Sequence, residues 1–279
     1  MKKQETQTTI GHQQSAVSFR KLCEIVARLR APGGCPWDRE QTHESLLSAL
    51  IEEAYEAAGA VRGNDTTNFR EELGDLLLLV VMHAEIAREA GRFDIDGVLS
   101  DVTEKLIRRH PHVFGESDAR DSGAVLKQWE SIKRAEKASG HYLDDLPAAL
   151  PALMRAQKAQ AKAARVNFDW TEVHDVIAKI EEELSETKQV IVAAANEQAI
   201  EDEIGDLLFA VVNLARKCKL EAEMALQAAT DKFIARFNRL ENELQSRGKR
   251  LGDADLAELD EIWNEIKKTP NAQDSKPNV

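Results

Sequence analysis

What this chain has little of narrows its identity before any motif is considered. Its 279 residues include three cysteines, Cys23, Cys35 and Cys218, none of them in a CxxC pair. That argues against a disulfide framework or a thiolate zinc site and makes a reducing compartment the expectation. Aromatic residues amount to 5% and β-branched clusters are sparse, whereas Ala, Leu, Glu, Lys and Arg dominate. This is the residue set that favours helices, so little or no sheet is expected. Long apolar runs are missing too. The best, residues 76–82, falls far below a membrane span, and the opening MKKQETQTTIGHQQS has no signal-peptide core. A cytoplasmic protein without membrane contact is the expectation. Positive charge is also in deficit, with 37 Lys and Arg against 49 Asp and Glu and a net charge of −12. A nucleic-acid backbone would be repelled, so direct nucleic-acid binding is not expected, while a smaller polyanion remains possible if metal ions intervene.

Enough apolar residues are present, 43%, to build one large core or two ordinary ones. Helical periodicity runs over 17–30, 41–62, 67–90, 96–109 and 122–138, then over 150–164, 172–194, 198–217, 220–246 and 254–268. Breakers separate these stretches. Ala31-Pro32-Gly33-Gly34-Cys35-Pro36 reads as a loop, Gly63-Asn64-Asp65 closes a helix, and His110-Pro111 ends another. The polar ends, 1–16 and 269–279, read as flexible or disordered tails. The stretch 140–150 reads as a connector between a first helical domain, 17–139, and a second, 151–268.

Comparing the sequence with itself supports that division. Glu52-Glu53-Ala54-Tyr55-Glu56 matches Glu182-Glu183-Leu184-Ser185-Glu186, and Glu72-Leu73-Gly74-Asp75-Leu76-Leu77 matches Glu203-Ile204-Gly205-Asp206-Leu207-Leu208. Lys105-Leu106-Ile107-Arg108-Arg109 matches Lys232-Phe233-Ile234-Ala235-Arg236, and Trp129-Glu130-Ser131-Ile132-Lys133 matches Trp263-Asn264-Glu265-Ile266-Lys267. All four pairs keep their order at offsets of 127 to 134 residues. The economical explanation is two tandem helical units of one ancestry.

The matched acids have an unusual placement. On a helix, i,i+3 and i,i+4 positions are neighbours, so Glu53 and Glu56 share a face, as do Glu72 and Asp75, Glu183 and Glu186, and Glu203 and Asp206. Like charges at this spacing repel by a few tenths of a kcal/mol, roughly, per pair, so stability alone does not select them. A solvated acidic face is the ordinary reading of such a cluster. Here, however, Asp75 opens the apolar run Leu76–Val81 and Asp206 precedes Leu207, Leu208 and Phe209. Carboxylates set into apolar stripes need a cation or strong hydrogen bonds to remain ionised. Two helices presenting two carboxylates each supply hard oxygen ligands suited to Mg²⁺ or Mn²⁺, which commonly bridge to substrate phosphates. A di-iron carboxylate bundle would require Glu-x-x-His on two helices. The single such string, Glu40-Gln41-Thr42-His43, has no copy in the second unit.

Cations recur with the acids. Lys232 and Arg236 lie one helical turn apart, and Trp263 and Lys267 have the same relation. In an acidic chain this suggests phosphate contacts, because arginine binds phosphate through paired hydrogen bonds and lysine as a point charge. Ordinary surface cations beside a packed tryptophan are the alternative. Trp263, and the aromatics Phe168 and Trp170 at the start of the second unit, could stack on a base or merely anchor helices. His83 reads as a packed residue rather than a base.

With these residues assembled, EExxE followed sixteen or seventeen residues later by ExxD resembles the signature of the MazG-type, all-α nucleoside triphosphate pyrophosphohydrolases. The resemblance extends from Phe19 to Lys268 and includes GGCPWDREQTHESL, RRHPHVFG, LPALMRAQKAQ, VNFDW and GDLLFAVVNLAR. It implies an all-α fold of two tandem helical bundles completed by homodimerisation. It also implies Mg²⁺-dependent hydrolysis of nucleoside triphosphates, ATP among them, to monophosphate and diphosphate, with broad base tolerance. Carried over by position, Glu183, Glu186, Glu203 and Asp206 would hold Mg²⁺, with Glu182 as a supporting or water-orienting group. Lys232, Arg236, Trp263 and Lys267 would contact nucleotide, with Asn213, Phe168 and Trp170 as further candidates. In the first unit Glu53, Glu56, Glu72 and Asp75 would be the metal ligands. That unit has Met82 where the second has Asn213, and bulky Tyr55 inside its EExxE. The second unit is therefore expected to be the main catalytic one, the first serving assembly, regulation or another substrate. A nucleotide-sensing scaffold without turnover and a purely structural adaptor are the competing readings.

Overall fold

The computed structural model describes residues 2–136 and 140–268. Among them there is no strand. Twelve helices follow one another: α1 (Lys2–Arg30), α2 (Pro36–Glu40), α3 (Leu47–Gly63), α4 (Thr66–Glu89), α5 (Ile95–Arg109), α6 (Pro111–Phe114), α7 (Ser122–Glu136), α8 (Ala152–Ala164), α9 (Val173–Val192), α10 (Glu197–Lys217), α11 (Ala222–Ser246) and α12 (Leu256–Lys268). The chain separates into two compact units, 1–138 and 139–279. None of the described helices is long and apolar enough to cross a membrane.

In unit 1 the central element is the α3/α4 hairpin, with α1 packed on α4 and α5 carrying α6 and α7. The hairpin turn follows from two residues. Asn64 adopts φ 58°, the left-handed conformation that asparagine tolerates, and its N–H caps the carbonyls of Ala60 and Val61. Asp65 then accepts from the N–H groups of Thr67 and Asn68 and starts α4. Val26, Leu46, Leu79, Val81 and Met82 form the core beneath, joined by Phe19, Leu22 and Ile86.

Several local expectations are refined. α1 runs through the segment read as an N-terminal tail, because a shortage of apolar side chains argues against packing but not against a helix of Lys, Gln and Glu. The proline-glycine stretch is a loop as expected, yet Pro36 starts the five-residue helix α2, the first-turn position where proline's fixed φ is an advantage. Residues 41–46 precede α3 rather than begin it, with a turn at 43–46. Thr42 and Ser45 exchange backbone-to-hydroxyl hydrogen bonds there, giving the chain a local alternative to helix. Gly34 lies so close to α1 that a Cβ would sit 2.2 Å from the Leu29 carbonyl oxygen, so only glycine fits. Arg30 locks this loop, donating to the Asp38 and Gln41 carbonyls and pairing through two nitrogens with Glu89 of α4.

Unit 2 repeats the hairpin as α9/α10, supported by α8, while α11 packs on α8 and pairs with α12. The connector 140–150 holds turns without helix. It leans on α8, where Lys162 pairs with Asp145 and lies 4.8 Å from the centre of the Tyr142 ring. Two buried glutamines of the AQKAQ string act as keys between helices. Gln157 donates to the Leu220 carbonyl and accepts from the Ala222 N–H, and Gln160 donates to the Phe209 carbonyl. Leu240, Leu244, Ile262 and Ile266 make the α11/α12 core, with Trp263 at its margin. The expected tail 269–279 and the last residues of the 122–138 segment lie outside the described residues.

Candidate metal and nucleotide site

The hairpin geometry brings the repeated acids together. In unit 2, carboxylate oxygens of Glu183, Glu186 and Glu203 all lie within 4.8 Å of one another. In unit 1, Glu53, Glu56 and Glu72 do the same. Each set takes two residues from the first hairpin helix and one from the second. Asp206 and Asp75 stand one turn further along α10 and α4, outside these triplets but close enough for their charges to act on Glu203 and Glu53. Neither triplet contains a histidine, so the donor sets are oxygen only and fit a hard divalent cation rather than a di-iron centre.

Electrostatics point the same way. Burial, a hydrogen bond with Glu72 and the charges of Asp75 and Glu56 push the Glu53 carboxyl up to about 7. Burial and the charges of Glu186, Glu183 and Asp206 raise Glu203 as well. Carboxylates that raise one another's affinity for protons are arranged to receive another positive charge.

The two sites differ in a residue that sequence reasoning passed over. Lys179, one turn before Glu183 on α9, reaches Glu182 at 2.8 Å and Glu183 at 2.7 Å, and these two hydrogen bonds raise its own affinity for its proton. The matching position in unit 1 is Ala49. Thr187, buried beneath the acids, donates to the Glu183 carbonyl and approaches that of Glu203 at 3.4 Å, fastening α9 to α10 under the site. Its counterpart is Ala57. A lysine one turn from the EExxE string was visible in the sequence, but only the folded side chains show which acids it reaches.

The cationic set lies on the α11/α12 pair. Trp263 packs 5.4 Å from Phe233, and Lys267 Nζ lies 5.9 Å from the Trp263 ring centre. Lys232 is exposed, whereas Arg236 is half-buried with a buried Nε that has no hydrogen-bond partner among the described residues. None of Lys232, Arg236 and Lys267 is paired with Glu183, Glu186, Glu203 or Asp206 among the described residues. Trp263 thus anchors α12 and still presents part of its ring to solvent.

Phe168 and Trp170 flank Asp169 in the loop before α9, and Phe168 is 80% exposed. Burial pulls the Asp169 carboxyl upward, but hydrogen bonds from Arg216 and Lys217 hold it below the usual carboxylate range. Asn213 belongs to this clamp. It is buried, and its amide oxygen accepts from Arg216 Nε at 2.9 Å while Arg216 reaches Asp169 at 2.5 Å. Asn213 is thereby tied, through Arg216, to the loop that carries Phe168 and Trp170.

In unit 1 one of the corresponding cations, Arg109, is occupied, and its neighbour Arg108 shares the same partner. Arg108 and Arg109 both pair with Glu136, at 2.7 and 2.5 Å, and together they hold its carboxyl down at about 2. His83 is packed, as expected, but against His43: the rings stack 5.2 Å apart with their Nδ1 atoms at 2.9 Å, and burial lowers the His83 pKa. Nothing in sequence spacing links a turn residue to a mid-helix histidine forty positions on.

Comparison with known proteins agrees with this geometry. The model of the MazG nucleotide pyrophosphohydrolase domain matches twice, over residues 41–114 and 171–241, each time covering one acidic hairpin. The Nucleoside triphosphate pyrophosphohydrolase of Escherichia coli (strain K12) is 46% identical over 253 residues, covering 89% of this chain and 96% of that protein. The Nucleoside triphosphate pyrophosphohydrolase/pyrophosphatase MazG of Thermotoga maritima is 44% identical over 256 residues, covering 91% of this chain and 97% of the relative. The uncharacterized protein YabN of Bacillus subtilis is 45% identical over 253 residues but only 52% of its length is covered. With two tandem copies of the domain and near end-to-end similarity to such relatives, the chain belongs to the MazG family of nucleotide pyrophosphohydrolases.

Proposed function

We propose that this protein hydrolyses nucleoside triphosphates to monophosphate and diphosphate with Mg²⁺, and that unit 2 is the main catalytic unit. The observation that carries this reading is the oxygen-only triplet Glu183, Glu186 and Glu203 within 4.8 Å, on a hairpin that recurs in the chain. Those three, with Asp206, would hold Mg²⁺; Mn²⁺ is the natural substitute because it takes the same hard ligands. The metal's contribution is to neutralise the triphosphate and make a water molecule a better nucleophile at neutral pH. The protein's own groups do the rest. Glu182 orients the attacking water. The water oxygen bonds to the α-phosphorus, the bond from that phosphorus to the bridging oxygen breaks and leaves its electron pair on the diphosphate, and the water's proton passes to solvent. Lys232, Arg236 and Lys267 stabilise the charge that grows on the departing diphosphate. Base specificity is broad on this reading, because Phe168, Trp170 and Trp263 offer stacking faces that any base can use.

Pyrophosphate release from a panel of nucleoside triphosphates, with and without Mg²⁺, tests the reaction. Binding without product would leave a sensor in its place.

The second element of the proposal is a homodimer. Exposed Leu73, Leu77 and Val80 form a stripe on α4, and Ile204, Leu208 and Val211 repeat it on α10, beside the acids in both units. A recurring apolar stripe of this kind is suited to burial against a second copy. Leu208→Glu is expected to shift the sedimenting species toward monomer and to lower turnover; an unchanged mass would remove α10 from the interface.

A further inference from the structure

The repeat equates Arg109 with Arg236, Trp129 with Trp263 and Lys133 with Lys267. Unit 1 thus carries the cations and the aromatic that the proposed function assigns to nucleotide contact in unit 2. Their surroundings are different. Arg109 lies 5.4 Å from the Trp129 ring centre, and the His110 ring meets the same tryptophan edge-on at 4.9 Å. Beside this platform, Glu136 Oε1 accepts from Arg108 Nε at 2.7 Å, while Oε2 accepts from Arg109 Nε at 3.1 Å and from Arg109 Nη2 at 2.5 Å. Two guanidinium groups converging on two oxygens of one anion is the arrangement that arginine pairs use to hold phosphate.

Both extra members of this clamp belong to unit 1 alone. Arg108 corresponds to Ala235, and Glu136 corresponds to Pro270, which has no carboxylate to offer. Arg236, relieved of such an anion, keeps a buried Nε with no partner among the described residues. The simplest account of the difference is that one unit supplies from its own chain the anion that the other receives from solution. An exposed carboxylate in an ion pair is a weak latch, screened by salt and readily displaced by a more highly charged anion.

We propose that Arg108, Arg109 and Trp129 form a second site for the phosphate chain of a nucleoside polyphosphate, in unit 1, and that Glu136 fills it as an internal anion and holds it shut. This rests on the reading of Arg236 and Trp263 as nucleotide contacts. The site is closed in the ground state and opens to a polyanion able to displace one carboxylate.

Calorimetric binding to the full-length chain tests this, with Mg²⁺ and either a non-hydrolysable nucleoside triphosphate analogue or inorganic tripolyphosphate. On an Arg236→Ala background, which silences unit 2, Glu136→Gln is expected to tighten binding of the analogue at least tenfold, and adding Arg109→Ala to abolish the gain. Glu136→Asp retains the anion and is expected to keep the site shut. Tightening with the analogue but not with tripolyphosphate assigns a role to Trp129 and the base; equal tightening assigns the site to phosphate alone, and each supports the latch. Affinity within twofold of the background for Glu136→Gln, or a gain that survives Arg109→Ala, overturns it. The single variant Arg236→Ala reports on unit 2 separately. If it binds analogue as the wild type does, that reading fails, and Glu136→Gln is then judged by whether the number of molecules bound per chain rises by one.

Discussion

Unit 1 and unit 2 are built on the same acidic hairpin and stabilise it by different means. In unit 2 the carboxylates share the protein's own cation, Lys179, and rest on the Thr187 bridge between α9 and α10. In unit 1 alanines stand at both positions, and burial, with the acids around it, pushes Glu53 up to about 7. The cationic faces are reversed. Arg108 and Arg109 of unit 1 both pair with Glu136, whereas Arg236 Nε of unit 2 has no partner among the described residues. Each unit therefore has one half of its site balanced internally and the other half open. What the comparison teaches is that a repeated hairpin can diverge through the residues around its acids while the acids themselves stay in place.

Turnover is where the comparison is easiest to break. Loss of a group that merely orients a metal ligand commonly costs about 10–100-fold, so loss of a ligand itself is expected to cost more, on the order of a thousandfold. Glu183→Ala should show that loss in pyrophosphate release, and Glu53→Ala should stay within about tenfold of wild type. The reverse pattern would transfer the chemistry to unit 1.

A smaller effect separates the units by pH. Glu53 has a folded-state pKa of about 7 against 4.5 for the unperturbed group. Between those values the folded chain binds more protons than the unfolded chain, so stability falls as pH rises through that window. Metal-free protein is expected to melt a few degrees lower at pH 7.5 than at pH 5, with Mg²⁺ recovering more at the higher pH. Glu53→Gln should flatten that component. A slope that survives the substitution would assign it to other groups, Glu203 first among them because its shift has the same sign.

The smallest effect concerns the hairpin turns. Asn64 takes the left-handed conformation in unit 1, and Ala194 takes it in unit 2 at φ 49°. An alanine there is strained by about 1–2 kcal/mol, while asparagine tolerates the region. Ala194→Gly is expected to stabilise the protein by about 1 kcal/mol in denaturant titration, and Asn64→Gly by much less. Equal gains would mean that the turns are not distinguished by strain.

Much of this architecture was legible in the sequence because it rests on short-range pattern. Helical periodicity located the long helices, Gly63-Asn64-Asp65 marked a real turn, and the offset between EExxE and ExxD located both acidic clusters. Contacts between elements were not legible. Lys179 could be seen near the acids, but its reach to Glu182 and Glu183 depends on rotamers. Asn213 reads as a candidate nucleotide contact; its hydrogen bond with Arg216 follows helical spacing, but the reach of Arg216 on to Asp169, in the loop before α9, has no such signal. The His43–His83 stack and the Glu136 clamp join positions with no periodic relation. Pro36 gave a helix start where its neighbours suggested only a loop, because proline ends one kind of structure and begins another with equal ease.

The apolar stripe that recurs on α4 and α10 has a consequence for valency. One such face per molecule can only pair and stop. Two faces per molecule can pair and stop only if symmetry brings both to their counterparts at once; any other geometry leaves a free face at each end and lets chains grow. For the proposed dimer, duplication of the hairpin therefore sets a closure condition on assembly.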